Sequence, residues 1–74
     1  MIPTKDIKQI TKEFIEILRE SAIQIINEDL IESYVIDKIY YYEKITRKDT
    51  IPLTNLKRWV KDYRKFLINR GLMK

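Results

Sequence analysis

The chain has 74 residues, 45% of them apolar, and a formal charge of +4. That length holds one domain, residues 1–74, and the apolar share fits a small folded core and not a disordered chain. With no Cys, no His and a single Gly, disulfides, the usual zinc sites, His-based acid-base chemistry and a Gly-rich phosphate loop are all excluded, so the expectation is a non-catalytic protein without metal or cofactor.

The charge is unevenly distributed. Residues 1–37 carry four cations against eight carboxylates, a net of −4, whereas residues 38–74 carry eleven cations against three carboxylates, a net of +8. An asymmetry of this size points to an anionic partner at one end of the molecule. No apolar run approaches the roughly 20 residues that a membrane span needs, and the opening Met-Ile-Pro-Thr-Lys-Asp lacks the apolar stretch of a secretory signal. The chain is therefore read as soluble and cytoplasmic, with no membrane partner.

The first predicted element is an amphipathic helix over about residues 5–27. On a wheel of 100° per residue, Ile7, Ile10, Phe14, Ile15, Ile17, Leu18, Ala22, Ile25 and Ile26 share one half, and Lys12, Glu13, Glu16, Arg19, Glu20, Gln24 and Asn27 share the other. Thr4 is the expected N-cap, with Asp6 in the first turn at the positive end of the helix dipole. No Gly or Pro marks the end, so the break is placed at Asn27-Glu28-Asp29, where Asp29 and Glu32 resemble a capping box for the next helix.

A second helix is expected over about 30–44, on the stripe Ile31, Tyr34, Val35, Ile39, Tyr42 and Ile45. Tyr34-Val35-Ile36 and Ile39 to Tyr42 are residue types that favour strands. Asp37 and Lys38 interrupt any apolar strand face, and a lone strand would have no pairing partner, so the helix is preferred. Residues 46–52 form the one clear loop, closed by a proline that disfavours helix at Ile51.

A third helix is expected over about 55–70, capped by Thr54 or starting from Thr50 with Pro52 in its first turn. Its stripe is Leu56, Trp59, Val60, Tyr63, Phe66 and Leu67. Gly71 at C′ and Leu72 at C″ predict a Schellman stop closing onto Leu67. Three such helices give an all-α fold class, a small three-helix bundle with a helix-turn-helix-like arrangement as the variant.

The outer side of this third helix is the most informative feature of the sequence. With Leu56 at 0°, Arg64, Lys57, Lys61, Lys65 and Arg58 fall in one sector from about 80° to about 200°, bordered only by Asp62. Arg47 and Lys48 before the helix, and Arg70 and Lys74 after it, extend the field. A row of cations this dense suits phosphate neutralisation with counterion release. It also suits a plain solvated face.

Among the aromatics, Trp59 and Tyr63 lie on the apolar stripe and are expected in the core, which leaves Tyr40 as the best exposed ring for stacking. Ile23, Ile36, Tyr40 and Ile68 stand off their helix stripes and are the candidate residues of an interface, either of a dimer or with a larger protein partner. Glu13, Glu16 and Glu20 share one helical face, but carboxylates on a rigid exposed helix make a poor cation cage, and a solvated face is expected there.

The run Trp59-Val60, Tyr63, Phe66-Leu67, Arg70-Gly71, preceded by Ile51-Pro52-Leu53-Thr54, resembles the helix before the terminal winged-helix segment of poxvirus-type viral and plasmid primase-helicases. The resemblance covers about 20 residues. Leu67 and Arg70 stand where that family has Cys and Asn, and the helix begins about one turn early. The resemblance implies a replication or mobile-element accessory. The functional expectation is a small DNA-binding or other nucleic-acid-binding protein, with Lys57, Arg58, Lys61, Arg64 and Lys65 as backbone contacts and Arg47 and Lys48 flanking. The alternative is a protein-protein interaction subunit, an adaptor or inhibitor, docking through the off-stripe Ile and Tyr residues.

Overall fold

The structure, a computed structural model, describes residues 1–25 and 27–73. Ile26 and Lys74, which the sequence reading placed in the first apolar stripe and in the basic field, lie outside the described residues. Three helices, α1 (Ile7–Glu20), α2 (Glu28–Thr46) and α3 (Leu53–Asn69), are accompanied by two short strands, β1 (Ile2–Pro3) and β2 (Thr50–Ile51). The links 21–27 and 47–52 are longer than the turn of a helix-turn-helix unit, so the description that holds is the three-helix bundle. Its radius of gyration of 11.8 Å is close to the roughly 11 Å expected of a compact chain of this length.

The three apolar stripes meet in one core. Ile10, Phe14 and Leu18 come from α1, Ile31, Val35, Ile39 and Tyr42 from α2, and Leu56, Trp59, Val60, Tyr63 and Leu67 from α3. Aromatic rings tie the helices together. Phe14 of α1, Tyr34 of α2, and Tyr63 and Phe66 of α3 form one cluster of stacked, tilted and edge-on pairs with centroid separations of 4.9 to 6.1 Å, within the range over which ring quadrupoles favour offset and edge-on contacts. About two turns further along α2, Tyr42 meets Trp59 edge-on at 6.4 Å.

Helix 1 is shorter than its periodicity suggests. It stops at Glu20 because Ala22 takes the left-handed conformation, φ 58°. The Ile23 N–H then donates to the Leu18 carbonyl at 2.9 Å and the Ala22 N–H to the Arg19 carbonyl at 3.1 Å, the two bonds of a Schellman stop. The stop turns the Ile23 side chain back into the core, where it is 4% exposed. Ile23 is therefore not an exposed interface residue; the wheel placed it outside only because the helix was assumed to continue through it.

The caps also differ from expectation. Asp6, not Thr4, caps α1, accepting from the Gln9 N–H at 3.2 Å. Thr4 is buried and its hydroxyl lies 2.8 Å from Glu43 Oε2 and 3.1 Å from the Asp49 carbonyl. Asn27, not Asp29, caps α2; its Oδ1 accepts from the Asp29 and Leu30 N–H groups. Helix 2 runs on to Thr46 and ends on Arg47 in the left-handed region, φ 58°, whose N–H donates to the Glu43 carbonyl. Helix 3 starts two residues early, at Leu53, with Pro52 at the cap position and no side-chain cap bond. Its end is as expected: Gly71 at φ 72° donates to the Ile68 carbonyl and Leu72 to the Leu67 carbonyl at 2.9 Å.

The segment read as a plain loop contains β2. It pairs antiparallel with β1, Ile2 opposite Ile51 and Pro3 opposite Thr50. The Thr4 N–H donates to the Asp49 carbonyl and the Tyr42 hydroxyl to the Thr50 carbonyl, each at 2.8 Å. This strap fixes the start of the chain across the link that leads into α3, and so orients the outer face of α3.

Candidate functional site

The α3 helix turns Leu56, Trp59, Val60, Tyr63 and Leu67 inward, and the 3.6-residue period then delivers the positions between them to solvent. Lys57, Arg58, Lys61, Arg64 and Lys65 are all exposed. They share one face, as the wheel requires. Among the described residues none of these five makes an ion pair; the one ion pair found joins Lys38 of α2 to Asp62 of α3, Nζ to Oδ2 at 3.2 Å.

That pair matters for the row of cations. Asp62 is the one carboxylate of α3, and it is drawn toward α2 by Lys38. Among the described residues the five cations make no ion pair with it, although Asp62, one turn beyond Arg58, lines the same groove. Five positive charges within about two and a half helical turns make the face a concentrated field of exposed Lys and Arg side chains.

Arg47 and Lys48 are exposed as well. They share a shallow groove with Glu43, Lys44 and Asp49, so their field is partly cancelled, unlike that of the α3 row. Arg70 lies over the Phe66 ring, with its guanidinium carbon 4.5 Å from the centroid. This stacked geometry directs the cation to the α2 side of α3.

A groove between α2 and α3 borders the basic face. Lys38, Tyr41, Ile45, Asn55, Arg58 and Asp62 are among its lining residues. Tyr41, 62% exposed, was not singled out by sequence reasoning, and Ile45, 61% exposed, was assigned to the buried stripe. Ile45 escapes burial because the last turn of α2 projects past the core. The available signal for Tyr41 was its place in the run Tyr40-Tyr41-Tyr42, of which a helix can bury only one ring. Trp59 and Tyr63 are buried, as their stripe positions required.

The interface candidates are not gathered into one patch. Ile36 (40% exposed) and Tyr40 (70%) sit one turn apart on α2, flanking a shallow depression with Thr4, Lys5, Ile7 and Glu43. Ile68 is exposed on α3, in the same sector as the cations, and Ile23 is in the core. On α1, Glu16 and Glu20 are exposed, while Glu13 accepts from Gln9 Nε2 at 2.9 Å.

Two phenols are displaced from the ordinary tyrosine value. Burial pushes Tyr34 well above it, reinforced by the Asp62 carboxylate and the neighbouring Tyr63, and burial alone raises Tyr63. Both rings belong to the core cluster, and neither faces the basic surface.

No helix among the described residues is long and apolar enough to cross a membrane. Comparison with known protein families, with characterised proteins and with solved structures finds no match to the chain.

Proposed function

We propose that this protein is a small, non-catalytic nucleic-acid-binding module that contacts phosphates through the outer face of α3. The observation that carries the reading is the set of five exposed cations, Lys57, Arg58, Lys61, Arg64 and Lys65, with the helix's own carboxylate already taken by Lys38. Phosphate binding by such a face is driven by counterion release and is independent of base sequence. Arg47 and Lys48 contribute less, because Glu43 and Asp49 lie beside them. Tyr41 and Arg58 at the rim of the α2–α3 groove add a ring and a guanidinium on which an unpaired base stacks. A replication or mobile-element setting is what the resemblance over residues 51–71 supports.

The test is an anisotropy titration of single- and double-stranded probes against salt. Neutralising about five phosphates of duplex DNA gives a slope of log K against log salt near −4.5 and affinity of about micromolar order. Changing Lys57, Lys61 and Lys65 together to Glu abolishes binding and leaves the helical spectrum intact, since none of the three touches the core. A parent that binds neither probe at about 50 mM salt, where the counterion contribution is strong, ends this reading. The adaptor or inhibitor reading, docking through exposed Ile36 and Tyr40, then takes its place.

A further inference from the structure

The exposed face of α2 has an order that the nucleic-acid reading does not use. Asp29, Glu32, Ile36, Tyr40, Lys44 and the cap residue Arg47 are all solvent-exposed, and with a 100° step they fall, with Glu43, in one sector of the helix beside the buried sector of Ile31, Val35 and Ile39. Read from the N-terminal end, the face is acidic for two turns, apolar in the middle and basic for the last turn. Asp29 and Glu32 therefore have Arg47 and Lys44 at the same distances beyond the centre. We propose that this face binds a second copy of the chain, α2 against α2, antiparallel, with the two-fold axis passing midway between Ile36 and Tyr40.

That one operation pairs both apolar residues and four of the charges of the face. It sets Ile36 against the partner subunit's Tyr40, Glu32 against the partner subunit's Lys44 and Asp29 against the partner subunit's Arg47, each twice, as an isologous contact requires. A parallel pairing puts acid on acid and base on base. The charge layout thus selects both the partner and its direction. Helix 2 has room for the contact, since its 19 residues span about 28 Å at 1.5 Å per residue. Asp37 stands at one edge, where solvent screens it, and Glu43, within the face, is held by the Thr4 hydroxyl at 2.8 Å and falls opposite the partner subunit's Ser33. The pairing uses none of the five α3 cations; of the residues in the proposed nucleic-acid contact it engages only the flanking Arg47. One helix face is small for an interface, which fits a dissociation constant of tens of micromolar, about −6 kcal/mol.

The experiment is sedimentation velocity on the full chain in low salt, from about 10 to about 500 μM, a range bracketing that constant. The parent is expected to shift from monomer to dimer. Glu32→Lys and Lys44→Glu each place like charges together twice per dimer, and each alone raises the dissociation constant about tenfold or more, 1.4 kcal/mol. Mixed in equal amounts, the two variants restore dimer to near the parental level, because the Lys introduced at position 32 of one meets the Glu introduced at position 44 of the other. Ile36→Asp, at an exposed position, abolishes dimer in any combination. Circular dichroism of each variant alone excludes misfolding, and the rescue on mixing does so again. A parent that remains monomeric throughout the range overturns the pairing and assigns the face to a protein of another kind. Single variants that dimerise as the parent does, or a mixture that gives no more dimer than its components, overturn it as well.

Discussion

The Thr4 hydroxyl lies 2.8 Å from Glu43 Oε2, and this contact fastens the first residues of the chain to the last turns of α2. Because Thr4 is buried and also approaches the Asp49 carbonyl, Thr4→Val deletes a charge-assisted bond and leaves the carboxylate with water alone. A loss of about 1–2 kcal/mol is expected. For a domain of this size that lowers the melting temperature by about 4–15 °C in a thermal scan.

Thr11 is the opposite case. Its hydroxyl is buried without a hydrogen-bond partner, so Thr11→Val removes an unsatisfied group while keeping the side-chain shape. The expected result is no loss, or a gain of up to about 1 kcal/mol in urea unfolding. A loss above about 1 kcal/mol would show that the hydroxyl is satisfied.

The left-handed helix stops give a matched pair. Ala22 at φ 58° carries the steric cost of a Cβ in this region, about 1–2 kcal/mol, and Ala22→Gly removes it at a cost of about 0.4–1 kcal/mol in unfolded-chain entropy. A net gain of about 0.5–1 kcal/mol is expected. Gly71→Ala goes the other way. A Cβ there meets nothing within 4 Å, so the loss of about 1 kcal/mol expected from chemical denaturation comes from the backbone alone.

The two displaced tyrosines set an alkaline limit. Their folded-state pKa values are raised, so the neutral phenol is favoured in the fold. The stabilisation is fully present below the unfolded value of about 10 and is lost as pH rises from there toward the folded values. Melting temperatures should be level up to about pH 9 and fall above about pH 10. Tyr34→Phe should flatten that fall, and an equally steep fall in the variant would transfer the effect to Tyr63 and other groups.

What the sequence disclosed follows from which interactions are local. The 3.6-residue period of α3 identified its core, and with it the five exposed cations, because both are consequences of one wheel. Gly71 followed by Leu72 announced a Schellman stop through a residue type that needs positive φ. Ala22 makes the same stop without such a residue, so helix 1 looked six or seven residues too long and Ile23 looked exposed. Thr4 resembled a cap because a cap is the local use of a threonine; its real partners, Glu43 and Asp49, are 39 and 45 residues away. The β1–β2 pairing involves two residues on each side, too few to show alternation. Tyr41 and Ile45 were missed for a geometric reason: position on a wheel gives direction but not how far the core extends along the helix.

Trp59 is the only tryptophan, and it sits against Tyr42, whose hydroxyl holds the Thr50 carbonyl. The Phe14, Tyr34, Tyr63 and Phe66 cluster is centred about 10–12 Å away along the helices, at 1.5 Å per residue. The molecule thus carries two built-in optical reporters, one at the strap and one in the middle of the bundle. Indole fluorescence follows whether the N-terminal strap is seated, while near-ultraviolet tyrosine dichroism follows whether the three helices remain together. If the strap lifts before the bundle opens, the two signals separate during unfolding; if the 74 residues behave as one cooperative unit, they coincide.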